Sequence, residues 1–218
     1  VSNAPRGLRG PNINRVIPWF DFGFEGMFQS FSVAEGDSEF VTAANMPNLD
    51  EHQELSDTSY TIFGGAWTGG AAPYSLTLLE NITQAQVQPL FELPRLLGVA
   101  QPVTPLPGGL LINRYVEFDP NSLEIPDFYL VTITNALGLV IWQVILPGNE
   151  PYFQLPEFPD FSDLPEDERP NPYVAGTLNM EVVSARAYEF DYDEFEYNDF
   201  SLDNWEVFTF NAWTIRLR

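Results

Sequence analysis

Residues 128–146, FYLVTITNALGLVIWQVIL, decide how this chain is read. Tyr129, Val131 and Ile133 alternate with Leu130, Thr132 and Thr134, the period of two that puts successive side chains on opposite faces of a strand. Asn135-Ala136-Leu137-Gly138 supplies turn residues, and Leu139–Leu146 returns with Val140, Trp142 and Val144 in phase. Pro147-Gly148-Asn149 ends the return strand. Both strands are apolar on both faces near the turn, so the hairpin is expected to be central in its sandwich.

The same grammar extends outward in both directions. Phe20, Phe22 and Phe24 alternate, and Met27–Val33, Glu39–Ala43, Ser59–Phe63 and Tyr74–Leu79 are short apolar or aromatic runs between turn residues. Leu110–Phe118 is expected to hold Ile112, Arg114, Val116 and Phe118 on one face. Tyr152–Leu155 is a short strand. Val182–Tyr192 carries Tyr188, Phe190 and Tyr192 against Glu189, Asp191 and Asp193, and Trp205–Leu217 closes the chain. No window holds a helical stripe of useful length; Gln84–Leu97 has room for one short turn.

These runs predict an all-β protein: two antiparallel β-sandwich domains, 16–104 and 105–218, or one elaborated sandwich. Residues 1–15, with three arginines and no acid, read as an extended N-terminal arm. Residues 89–109 contain five prolines and are expected to connect the two sandwiches, or to lie across one of them. Residues 147–172 contain seven prolines and form a long loop or an edge cover.

In the second half, Val116-Glu117-Phe118, the Tyr129-x-Val131 strand, the return strand bearing Trp142, Phe153-x-Leu155-Pro156 and the last two strands resemble a fibronectin type III-like or Ig-like sandwich. With the first half, the chain is similar to paired modules of bacterial secreted and surface proteins. The insertion at 156–172 and the aromatic, acidic stretch 188–206 depart from a compact module. The resemblance implies adhesion, spacing or assembly rather than catalysis.

Composition excludes more than it asserts. Thirty-one acids stand against nine bases, every base is arginine, and the formal charge is −22. Nucleic acids and anionic membranes need a basic footprint, so neither is an expected partner. With 44% apolar residues the chain is too greasy for a disordered acidic tail. The absence of cysteine rules out disulfides and thiolate chemistry. The absence of lysine rules out a P-loop of the GK[ST] kind and a Schiff base. No run reaches the length of a membrane helix. The chain begins at Val1, which predicts a processed or excised piece of a longer product.

What remains is a short set of candidates. His52 sits alone in a polar loop and is not expected to be catalytic. The GGAWTGG segment at 64–70 has no basic partner and reads as a loop around Trp67, not a phosphate cradle. Paired carboxylates admit a glycoside hydrolase as a third reading. Asp191, Asp193, Glu196, Asp199 and Asp203 have oxygen ligands at loop-like spacing, which makes calcium the metal to test, with no other cofactor expected. Trp19, Trp67 and Trp205 are able to stack on sugars where exposed. Asn81-Ile82-Thr83 is a formal sequon.

The non-random feature is segregation of charge. Arg6, Arg9 and Arg15 open the chain, Arg216 and Arg218 close it, and 157–206 holds fifteen acids against Arg169 and Arg186. A basic arm and an acidic far side predict self-association of copies, head to tail. The expected function is a non-enzymatic structural subunit of an extracellular or cell-surface filament or array. A carbohydrate- or calcium-binding adhesion module is the alternative.

Overall fold

The computed structural model describes residues 15–29, 34–35, 46, 48–55, 57–67, 70–83, 93–122, 124–156, 163, 165, 176–196 and 204–217. Among these residues twelve strands run in chain order: β1 Arg15–Asp21, β2 Met27–Gln29, β3 Ala34–Glu35, β4 Ser59–Trp67, β5 Tyr74–Ile82, β6 Gln101–Thr104, β7 Tyr115–Asp119, β8 Phe128–Thr134, β9 Val140–Pro147, β10 Tyr152–Gln154, β11 Gly176–Ala187 and β12 Trp205–Leu217. The helical pieces among the described residues are single 3-10 turns at Gly23–Glu25, Leu49–Glu51 and Gln53–Leu55.

Nine strands form one sheet in the order β2-β1-β4-β5-β12-β11-β8-β9, with β3 also on β1; β10-β7-β6 form a second sheet. All strand pairs are antiparallel. The chain passes from β7 in the small sheet to the β8–β9 hairpin in the large one, back to β10, then to β11 and β12. The two sheets bury a shared core: Val116, Phe118 and Phe153 from the small sheet meet Tyr129, Val131, Ile133, Met180, Val182 and Ile215 from the large one. The protein is therefore an all-β, antiparallel β-sandwich. One sheet draws strands from both halves of the sequence, which join where β5 pairs with β12, Thr77 opposite Val207.

The first-half strands are covered by the proline-flanked segment 93–100. Leu93, Leu96 and Val99 pack on Val16, Ile62 and Ala66, and the buried Ser75 hydroxyl donates to the Leu97 carbonyl at 3.0 Å. Of the two expectations for 89–109, lying across a sandwich describes 93–100. Gly98 lets this segment approach closely, because a β-carbon there would collide with the Asn121 carbonyl oxygen.

Several expectations are corrected. The β8–β9 hairpin is not central as a unit: β8 lies between β9 and β11, but β9 is the last strand of the sheet. Residues 20–24 are not one strand, since β1 ends at Asp21, whose carboxylate accepts the Gly23 N–H at 2.8 Å and starts a turn. Leu110–Phe118 is broken by Asn113 and Arg114, both at positive φ (53° and 57°). Ile112 is consequently 60% exposed, while Val116 and Phe118 are buried. Alternation at 188–193 does not continue β11, which stops at Ala187, and Glu189 has φ 52°. Residues 64–67 of GGAWTGG belong to β4 rather than to a loop. The run Glu39–Ala43 lies outside the described residues.

Candidate self-association surface

A sheet presents unpaired backbone groups at its edges, and proteins normally blunt them with short strands, proline or charge. Among the described residues, three of the four sheet edges follow that rule. At one end of the large sheet, β2 and β3 have three and two residues, with the charges of Asp21 and Glu25 beside β2. In the small sheet β10 has three residues, and β6 has four with Pro102 among them. The fourth edge, β9, has eight residues and no charge. Among the described residues nothing pairs with its outer side.

The sequence contains two charge-free runs of 22 residues, 58–79 and 128–149. The first forms β4 and β5 in the middle of the sheet, where charge would be costly to bury. The second forms β8 and β9 and ends on the edge. Its tip is openly apolar: Leu137 is 84% exposed, Leu139 and Val140 61% each. The Asn135 carboxamide oxygen holds the turn by accepting the N–H groups of Leu137 and Leu139 at 2.9 and 3.0 Å. The sequence reading missed this surface because it placed the whole hairpin inside. The signal lay in the absence of charge on its second strand.

Backbone parity tells which groups of β9 point outward. In an antiparallel pair, alternate residues exchange hydrogen bonds and the others face away. Gly148 N–H donates to the Asp127 carbonyl at 3.0 Å and Asn135 N–H to the Leu139 carbonyl at 3.0 Å, so odd-numbered β8 positions bond to β9. With Thr132 opposite Gln143 and Leu130 opposite Ile145, the backbone groups of Gln143 and Ile145 face the outer edge. In agreement, the Ile145 carbonyl accepts the Tyr192 hydroxyl at 3.1 Å.

Tyr192 belongs to an aromatic clasp over the outer face of β8 and β11. Phe190 lies 4.9 Å from Phe128 and stacks on Phe195 at 5.8 Å, and Tyr192 meets Phe195 at 5.4 Å. Burial, then the charges of Glu150 and Asp193, pushes the Tyr192 phenol up. The candidate calcium acids Asp191, Asp193 and Glu196 lie in this segment. Asp191 spends a carboxylate oxygen on the Asp193 N–H at 2.9 Å. Asp191 also lines a cavity of about 240 Å³ with Glu189, Glu194, Phe190 and Asn204. Asp199 and Asp203 lie outside the described residues. Among the described residues no three His, Cys, Asp or Glu side chains converge to hold a metal ion.

The arginines named from sequence stand apart. Arg6, Arg9 and Arg218 lie outside the described residues. The Arg15 guanidinium lies 5.8 Å from the centre of the Trp67 ring, giving that ring the basic partner it was not expected to have. Arg216 Nε donates to the Gly108 carbonyl at 2.6 Å, and its backbone bonds Gly109 and Leu111. Arg15 is opposite Gly65, Gly65 opposite Leu76, and Leu76 opposite Phe208. Arg216 lies eight residues farther along β12, roughly 27 Å at about 3.4 Å per residue. Of the candidate sugar-stacking rings, Trp205 is buried and Trp19 and Trp67 are half-buried; His52 is exposed.

A charge cluster ties the second half together at the start of β8. Arg186 donates to Glu124 and to Glu206, each at 2.8 Å, and Arg95 reaches Glu124 at 3.2 Å. Burial alone would lower the Arg186 pKa; hydrogen bonds and charge from Glu206 and Glu124 more than offset it. Asp127 Oδ2 accepts the Ala187 N–H at 2.9 Å. Burial raises the Asp127 pKa above 3.8, against the lowering effects of the Ala187 N–H and Arg186, and Glu206 adds to the rise. The folded state therefore binds this proton more readily than the unfolded state, and the ionised group costs stability above its folded pKa. Asp127→Asn is expected to melt above the parent at neutral pH. That advantage should shrink as pH falls through the raised folded pKa to 3.8, as read by thermal melts of both proteins across the acid range.

Among the described residues no helix is long and apolar enough to cross a membrane. Comparison with protein-family models, with the curated proteins and with the solved structures finds no match.

Proposed function

We propose that this protein is a non-enzymatic structural subunit of an extracellular or cell-surface assembly, a filament or array built from copies of itself. The observation that carries this reading is the edge strand β9, long, charge-free and apolar at its tip, on a chain of formal charge −22. A monomer would be expected to guard such an edge. On so acidic a molecule, a charge-free edge is where a like-charged copy approaches at least electrostatic cost. The second contact in this reading is the arginine-bearing arm, 1–15, of which 1–14 lie outside the described residues and Arg15 begins β1. An arm binding the acidic region of the next copy gives a non-closing, head-to-tail contact.

The second half is read as a fibronectin type III-like module. Support comes from three strands, β10-β7-β6, packed on four, β12-β11-β8-β9, with the chain crossing repeatedly between the sheets. Such a module serves spacing and assembly.

Sedimentation velocity at low and high NaCl tests the proposal. Association should strengthen with salt if repulsion between acidic surfaces dominates, since salt screens it. A variant lacking residues 1–15 should lose the longer assemblies. A parent that stays monomeric at every salt and protein concentration overturns the reading; unchanged assembly after truncation removes the arm from it.

A further inference from the structure

We infer that two copies join through β9 paired antiparallel to itself about a two-fold axis at Gln143, so that the large sheet runs on from one molecule into the next. This rests on the self-associating reading above and names the surface and the partner, a second copy of this chain.

Four observations lead to it. Among the described residues, the outer edge of β9 is the edge that lacks shortness, charge or an internal proline, Pro147 standing only at its end. The backbone groups of Gln143 and Ile145 face outward, where a new strand would take them up. A chain of charge −22 repels its copies everywhere except where charge is missing. A cationic partner, which the net charge would otherwise favour, finds no carboxylate on β9 to hold it.

Register follows from the pleat. A two-fold axis normal to the sheet keeps both copies' inner faces on one side only if residues of the same parity pair. Centring on Gln143 places Trp142 opposite the partner's Val144, an aromatic against a β-branched side chain, which is a favourable cross-strand pair. It places the two Gln143 carboxamides together, each with donor and acceptor for the other. The register shift between Ile133 and Thr134 puts Val140 on the face of Thr134 while Leu146 is on the face of Tyr129, so the regular pairing runs over Trp142–Val144 and the apolar tip, Leu139 and Val140, lies beyond it. The Ile145 carbonyl keeps a second lone pair for the ladder beside its bond from Tyr192.

The chain has no cysteine, so single-cysteine variants give an unambiguous readout. A directly opposed Gln143 pair would have Cα atoms about 5.5 Å apart, within disulfide range. Gln143→Cys is expected to form a covalent dimer under mild oxidation, reversed by reductant. Thr132→Cys, one strand inward on β8, is expected to stay monomeric on denaturing gels, because two intervening strands hold the pair beyond disulfide reach. Gln143→Lys should leave the melting temperature of the fold unchanged and weaken dimerisation by about a hundredfold, since it sets two ammonium groups face to face. Association of the parent without a Gln143→Cys disulfide, or equal cross-linking at Thr132→Cys, overturns the β9 pairing and leaves the structural-subunit reading standing. A parent monomeric at all concentrations overturns both.

Discussion

Phe118→Ala is expected to destabilise the protein by about 3–5 kcal/mol, the range for emptying a large aromatic site in a packed core. Phe118 is 1% exposed on β7. Its ring meets Tyr129 of β8 edge-to-face at 4.9 Å, so the contact spans the two sheets. Around it the core is built from Val116, Val131 and Phe153. β-strand backbone on both sides leaves little room to collapse into the space. For a chain of this size the loss corresponds to a fall in melting temperature on the order of 10 °C. Phe28→Ala is the matched control: Phe28 is 62% exposed on β2, and its loss should stay within about 0.5 kcal/mol. Thermal melts of the two variants decide the matter. A fall at Phe118 no larger than at Phe28 would mean the sheets do not share this core.

Arg186→Ala is expected to cost about 2 kcal/mol, between the near-zero value of exposed ion pairs and the 3–5 kcal/mol of fully buried ones. The Arg186 side chain is 26% exposed and those of Glu124 and Glu206 are 31% and 26%. Removing the guanidinium leaves two carboxylates, with Asp127 nearby, sharing only the half-exposed Arg95, which reaches Glu124 at 3.2 Å. Arg186→Lys should recover only part of the loss, because one ammonium does not reproduce a guanidinium forked between two acids. Arg186→Met combined with Glu124→Gln and Glu206→Gln should recover most of it, since the cost lies in unpaired charge rather than in lost volume. Urea midpoints of the single and combined variants measure the coupling. Additive losses would show that the three groups act independently. Arg95, 51% exposed against Glu124, should contribute little.

Strand content was legible from residue order wherever alternation was long. The hairpin at 128–146, the last strand at 205–217 and the runs at 59–63 and 74–79 all appear as strands, and the all-β class followed from them. Local geometry defeated the reading at Asp21, at Asn113-Arg114 and at Glu189. There a side-chain hydrogen bond or a positive φ ended a strand within an unbroken apolar pattern. The prolines of 89–109 left two expectations open, a connector or a segment lying across a sandwich; only the packing of Leu93, Leu96 and Val99 on the first-half strands decided for the second at 93–100.

The candidate site divides in the same way. The absence of charge from β9 was written in the sequence, but its meaning depends on what lies beside it. An equally neutral run, 58–79, sits harmlessly in mid-sheet. Arg186 and Glu206 were only members of a charge tally over 157–206, with Glu124 outside it, until strand pairing brought residues 62 positions apart to 2.8 Å.

Alternation is a local property, set by the two-residue period of the pleat. For that reason residue order alone determined that this protein is built of antiparallel β-structure beneath an acidic surface. Neighbour choice is not local: which strand ends a sheet depends on pairings between distant segments, each trading loop-closure entropy for buried area and ladder hydrogen bonds. Only the tertiary structure, by placing β12 beside β5 and leaving nothing described beyond β9, decided that a hairpin written like a core element carries its second strand on the outside.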